Sequence, residues 1–393
     1  MAILRKRLTF IMLLIMSINS IVYAGTLTES EALTQLFAKG PASMGYTKQF
    51  TAAAPLPVME QYLTQITQQV GTFEKVEGTS NPYTAIFENG TVTVYISLDS
   101  QGNIAGIQFA EIIASQGTLS DAVKVITDLD AETAVLIRKN GKTLVAHQAD
   151  IPLAVGSAFK LGVLAALEDA VQTGRLRWDQ SISLDSSWKS LPSGILQDWP
   201  SGTSITIETL AILMISQSDN TATDTLMSIL GRDKVEAYLP HSIPTLTTGE
   251  MFRLKNPDND DLLSRYRAAS LSGKRASLDE LKTRDLPSSS LFSGDPIALD
   301  VEWFMTVTEL SDLIERLQDL DPMTVNPGLA LKEHWYRIAY KGGSEPGVLN
   351  LTTFLMDEAH NRYTVSVTVN NPDKPLDDTM IMGAYQTILN YLQ

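Results

Sequence analysis

Gly156-Ser157-Ala158-Phe159-Lys160, running into Leu161–Val171, is the stretch on which the reading of this chain turns. From Leu161 onward it is apolar nearly all round, which predicts a helix buried on every face and so the centre of a domain. Ser157 falls at the start of that helix, where free backbone N–H groups and the helix dipole favour developing negative charge. Lys160 lies one turn along on the same face, within reach of the Ser157 hydroxyl. A serine needs a base to become a nucleophile, and a lysine desolvated near a second cation falls to a pKa of about 7–8 and serves as one. Taken alone, the pair reads first as a serine N-cap followed by a lysine.

Two further segments change that balance. Ser218-Asp219-Asn220 sits between an apolar helix, Ile207–Ile215, and a helix from Thr221 to Leu230 that Gly231 ends. By itself it is a run of preferred capping residues. Lys341-Gly342-Gly343-Ser344 closes the predicted strand Tyr336–Tyr340. Glycines there let a substrate backbone lie along a strand edge, and Lys341 offers charge to a carboxylate. By itself it is a glycine turn with a surface lysine.

The three appear in order, 61 residues from Ser157 to Ser218 and 123 from Ser218 to Lys341. As a set they resemble the signature of class A β-lactamases and penicillin-binding proteins: Ser-x-x-Lys, Ser-Asp-Asn, then Lys-Thr-Gly or a variant. Here Gly342 stands where threonine is usual. The resemblance covers residues 120–393 and implies an α/β (α+β) fold with a five-stranded antiparallel sheet flanked by helices. It implies an acyl-enzyme on Ser157, with Lys160 as proton acceptor and Ser218 as shuttle to the leaving amine. Asn220 would bond the substrate amide, and Lys341 would sit beside Ser218 and attract a carboxylate. The backbone N–H groups of Ser157 and Ser344 would form the oxyanion hole, with Gly343 lining the substrate edge. Asp219 is expected to bond backbone amides of its own loop.

Class A enzymes hydrolyse the acyl-enzyme with a glutamate in a Glu-x-x-x-Asn loop. Between Thr221 and Tyr340 no glutamate has asparagine four residues later. Glu250 is in the right region, but in Thr247-Thr248-Gly249-Glu250 it reads as a helix-start residue. Slow clearance of penicillins is therefore expected, with small activated esters turned over faster. Three readings stand: a serine hydrolase for β-lactams or related esters and amides, a peptidoglycan D,D-peptidase, or a binding and sensing protein that stays acylated. A Ser-His-Asp enzyme does not fit. The histidines, at 147, 241, 334 and 360, accompany no Gly-x-Ser-x-Gly elbow and lack zinc-ligand spacing, so no metal or cofactor is expected.

The rest of the chain fits an exported, two-domain protein. Arg5, Lys6 and Arg7 precede the apolar run Leu8–Met16 and a small residue at Ala24, as in a secretory signal over residues 1–24. Its removal would take the net charge from −15 to −18. So acidic a chain, without a basic patch, is a poor ligand for nucleic acid or anionic membranes. With no cysteine it has neither disulfide nor lipidated anchor. A monomer acting on a small molecule in the periplasm or medium is expected.

Residues 25–115 read as a small α+β accessory domain. It comprises helices at Glu29–Lys39 and Pro57–Val70, then three antiparallel strands at Tyr83–Phe87, Thr91–Leu98 and Ile104–Phe109, punctuated by Asn89-Gly90 and Gln101-Gly102-Asn103. An α+β domain before a β-lactamase-like one resembles two-domain superfamily members with an isomerase-like first domain, some of which act as esterases. In the domain from residue 120, Asn140-Gly141 marks a hairpin, and strands return at Tyr336–Tyr340, Leu349–Met356 and Tyr363–Val369 before a closing helix, Asp378–Leu392. Strands at both ends imply one sheet assembled from the two termini. Asn256–Ser290, polar and charged, reads as a surface excursion.

Overall fold

The computed structural model describes residues 27–88, 90–114 and 118–393; the expected leader lies outside them. The chain divides into two compact units, residues 1–112 and 113–393.

The first unit begins with helices α1 (Glu29–Lys39), α2 (Lys48–Ala53) and α3 (Leu56–Val70). A sheet follows, in the order β1 (Phe73–Glu77), β2 (Tyr83–Phe87), β3 (Gly90–Leu98), β4 (Ile104–Ala114). Alternation buries Tyr83, Ala85 and Phe87 on β2 and Val92, Val94 and Ile96 on β3, opposite Leu33 and Leu36 of α1. Strand β1 is an addition to the expected three. Its sequence, Phe-Glu-Lys-Val-Glu, carries no clean alternation, and it is held by pairing with β2 and by Phe73 against Phe37.

The second unit runs through α4 (Leu119–Thr127), β5 (Glu132–Lys139), β6 (Lys142–His147), β7 (Leu153–Ala154) and a tight 3-10 turn, Gly156–Phe159, into α5 (Lys160–Gln172). Then come β8 (Ser181–Ser183), β9 (Ser204–Thr206), α6 (Ile207–Ser216), α7 (Asn220–Leu230), α8 (Arg232–Glu236) and α9 (Thr248–Leu254). After them the chain forms α10 (Asp260–Ala268), α11 (Leu271–Leu281), β10 (Phe304–Met305), α12 (Val307–Leu317) and α13 (Asp321–Thr324). Strands β11 (Arg337–Glu345), β12 (Val348–Met356) and β13 (Arg362–Asn370) and helix α14 (Asp378–Tyr391) complete it.

The main sheet has five strands in the order β11-β12-β13-β5-β6, all antiparallel, so both ends of the unit contribute as expected. Alternate residues of β5 divide the core: Val135 and Ile137 join α4 and α14 on one face, while Ala134 and Leu136 meet Val307 of α12 on the other. Beyond α12, helix α5 is buried among α6, α7 and α8, with Leu161, Val163, Leu164 and Leu167 all enclosed. Its all-round apolar sequence is thus explained.

Two expectations are corrected. Residues 256–290 are no surface excursion but largely helical, and Leu262, Leu263, Tyr266, Leu278 and Leu281 enter the main core. The apolar residues are few yet fall at helical spacing, and the charged faces interlock through Arg265 and Arg284 on Glu280. Strand β11 does not stop at Tyr340. It continues through Lys341-Gly342-Gly343-Ser344, so the third motif is itself the edge of the sheet.

Candidate active site

The turn that carries Ser157 is anchored from below. Val155 N–H donates to Trp303 O at 2.9 Å, β7 pairs with β10, and Asn370 clamps both the N–H and the C=O of Ala154 at 2.7 and 2.8 Å. Phe159 stacks on Trp303 with ring centroids 4.0 Å apart. Ser157 is therefore half-buried at the mouth of α5, while Lys160, one turn on, is fully enclosed.

Lys160 Nζ donates to Ser218 O at 2.6 Å, Ser218 Oγ at 3.1 Å and Asn220 Oδ1 at 2.7 Å. None of its bonds goes to Ser157. Burial, and then the charge of Lys341, push Lys160 well below the ordinary lysine value; Asp224 and Asp219 oppose this. Lys341, from β11, donates to the same Ser218 hydroxyl at 3.1 Å and to Gly342 O, and burial brings it down to about 7. Two lysines thus converge on one serine hydroxyl. Neither is a comfortable ammonium ion there, which suits proton exchange.

The corner that carries Ser218 is built for this. Ser218 adopts φ +56°, in the left-handed region that non-glycine residues rarely occupy, and presents both its carbonyl and its hydroxyl to Lys160. Asp219 holds the corner. Its carboxylate caps α7 through Ala222 N–H at 2.8 Å and accepts Ile195 and Leu196 N–H at 2.7 and 2.9 Å. Asn220 is spent on the same frame, accepting from Lys160 and donating to Leu191 O at 3.0 Å, although it also lines the cavity.

On β11 the glycines are steric necessities. A side chain at Gly343 would lie 2.1 Å from Val155 O and 2.4 Å from Ser157 N, so its absence lets the strand edge meet the turn that carries Ser157. That approach brings Ser344 to the cavity beside Ser157. At Gly342 a side chain would strike the Tyr340 hydroxyl, 2.3 Å away. Tyr340 occupies the space in which a threonine would stand.

Of the expected site residues, Ser157, Asn220 and Ser344 line a cavity of 220 Å³, with Leu191, Met251, Phe252, Phe292 and Trp303 among its apolar walls and Ser193, Ser289 and Glu345 among its polar ones; Lys160, Ser218, Lys341 and Gly343 do not line it. Phe252 and Phe292 pack at 4.9 Å. Ser193, whose hydroxyl donates to Ser218 O at 2.7 Å, was not foreseen; its only signal is a Pro-Ser-Gly turn. Phe292, Trp303 and Glu345 carried no signal at all. Glu250 is in α9, where it forms a capping box with Thr247 and pairs with Arg232 at 2.8 Å. No histidine borders the cavity. Among the described residues no acidic or histidine group is placed to hold a metal ion, and no helix is long and apolar enough to cross a membrane.

Residues 113–265 match a family model described as the β-lactamase enzyme family. The β-lactamase VEB-1 of Pseudomonas aeruginosa is 25% identical over 142 residues, which cover 33% of this chain and 46% of that protein. The match thus spans about half of that relative's length. A crystal structure of a β-lactamase from Sphaerobacter thermophilus shares the fold, with a TM-score of 0.50 at 20% identity over 70% of this chain and 95% of the other. A representative class A β-lactamase from Bacteroides cellulosilyticus has a TM-score of 0.49 at 18% identity, over 70% and 99% of the two chains.

Proposed function

We propose that this chain, whose second unit is a β-lactamase-like domain of the penicillin-recognising superfamily, is an exported serine hydrolase that works through an acyl-enzyme on Ser157. The observation that carries this is the convergence of Lys160 and Lys341 on Ser218 Oγ, with Lys160 one helical turn beyond a half-buried Ser157. With Lys160 neutral, it takes the Ser157 proton as Oγ adds to the carbonyl carbon of a β-lactam, ester or amide. Ser218 Oγ, bonded to Lys160, passes a proton to the leaving nitrogen or oxygen and is replenished from Lys160. The N–H groups of Ser157 and Ser344 stabilise the oxyanion. Lys341 draws a substrate carboxylate to the β11 edge, and the wall of Met251, Phe252, Phe292 and Trp303 suits an apolar acyl group.

Intact mass after incubation with a penicillin and with an activated ester tests this. Wild type should gain one acyl group. Ser157→Ala should fold and gain none. Labelling of a folded Ser157→Ala chain would sink the assignment. One further reading keeps a specific support: the missing Glu-x-x-x-Asn element favours a protein that stays acylated by penicillins, which a persistent penicilloyl adduct without turnover would reveal. A D-Ala-D-Ala peptide distinguishes the peptidase.

A further inference from the structure

Return of the acyl-enzyme to free enzyme needs a group that takes a proton from the attacking water, and Lys160 already directs its bonds to Ser218 and Asn220. Glu250 is not placed for it. Its carboxylate receives Arg232 Nη2 at 2.8 and 3.0 Å and Thr247 N–H at 2.9 Å, outside the cavity wall. Asp224 is fully buried, engaged by the N–H groups of Thr248 and Gly249 and the Thr248 hydroxyl, and is likewise outside that wall. One carboxylate does line the cavity with Ser157: Glu345, the residue after Ser344.

Its setting is specific. Alternation along β11 puts Glu345 on the face of Lys341 and Gly343, and Gly343 abuts Ser157 N. Lys255 Nζ, buried, donates to Glu345 Oε1 at 2.8 Å and also to Glu302 Oε1. The Glu302 carboxyl also hydrogen-bonds that of Glu345. One ammonium and two carboxyl groups in so enclosed a place share a proton. Burial drives Glu302 well above the carboxylate range, whereas Lys255 holds Glu345 below its own, against the burial that opposes it. Glu302 is the protonated member and Glu345, which lines the cavity, the ionised one.

We propose that Glu345 is the general base of deacylation, held in place by Lys255, which also bonds Glu302; this rests on the acyl-enzyme reading above. Glu345 takes a proton from a water whose oxygen adds to the acyl carbonyl carbon, the oxyanion lying on the N–H groups of Ser157 and Ser344. The C–Oγ bond then breaks. The proton held by Glu345 is the one that Ser157 Oγ must regain, so carboxylate and hydroxyl are both restored and the acid product leaves with the water's remaining hydrogen.

The test uses p-nitrophenyl acetate, following acylation by the p-nitrophenolate burst and deacylation by loss of the acetyl adduct in quenched intact-mass spectra. Glu345→Gln should acylate within about 3-fold of wild type and clear its adduct roughly 10²–10⁴-fold more slowly, the range for loss of a positioned base. Glu345→Asp keeps the charge that Lys255 needs, and so the fold, but withdraws the carboxylate by one methylene. It should acylate normally and clear its adduct more slowly than wild type yet faster than Glu345→Gln. Wild-type adduct lifetimes in both variants would overturn the assignment, as would equal slowing of acylation and deacylation, or a wild-type acetyl adduct that never clears. An absence of any Ser157 adduct or burst in wild type would overturn the acyl-enzyme reading itself, a visibly different result.

Discussion

Replacing Lys160 by arginine isolates what its buried nitrogen does. The side chain is fully enclosed, and its three donors are taken by Ser218 O, Ser218 Oγ and Asn220 Oδ1. Arginine keeps the positive charge and can still donate to those acceptors, but it does not deprotonate in proteins, so no neutral base remains for Ser157. Loss of a positioned base costs about 10²–10⁴-fold in rate. At about 1.36 kcal/mol per tenfold, the acylation barrier rises by roughly 2.7–5.4 kcal/mol. The bulkier guanidinium also overpacks a closed site, at about 1–3 kcal/mol of stability. Stopped-flow acylation by a fluorescent penicillin gives the rate, and urea unfolding of the same sample shows that the variant is folded. Acylation within a few-fold of wild type in a folded Lys160→Arg protein would refute the argument, because some other group would then be taking the Ser157 proton.

Asp219→Ala should destabilise the second unit by about 2–5 kcal/mol, since it strips a helix cap and orphans enclosed amides; urea unfolding measures it, and a loss below 0.5 kcal/mol would contradict the count of bonds made here. Lys341 loses its proton near pH 7 when folded but near 10.4 when unfolded, so between those values the unfolded chain holds more protons and stability rises with pH. Lys341→Met should flatten that rise, and equal slopes for the two proteins between pH 7 and 9 would show that Lys341 is not depressed. Glu250→Gln should cost about 1–3 kcal/mol through its pair with Arg232 while leaving adduct clearance unchanged; slower clearance would make Glu250 the base after all.

Much of this protein is legible in its residues because local chemistry and long-range packing agree. The stretch after Ser157 is apolar on every side, and only a helix enclosed by others can bury all of it. Asn140-Gly141 and the alternating runs at both ends of the second unit predict its sheet, and Ser-Asp-Asn between two helices announces a capped corner. Asp219 is the cap of α7, as such residues usually are, yet the same carboxylate also gathers the Ile195 and Leu196 amides. Where apolar residues are sparse, as in α10 and α11, composition alone suggests surface, and only their placement against the core shows otherwise.

What tertiary structure alone decides is which groups face each other and in what charge state. Lys160 and Lys341 are 181 positions apart in the chain, and it is their burial around one Ser218 hydroxyl that lowers both. Gly342 is explained by the ring of Tyr340, and Gly343 by the Ser157 turn pressed against it. Lys255, Glu302 and Glu345 are ordinary surface residue types in the sequence. Folding removes them from water together, and a carboxylate beside an ammonium and a second carboxyl has an acidity that no one-dimensional pattern records, because desolvation and Coulomb energy depend on distance through space and not along the chain.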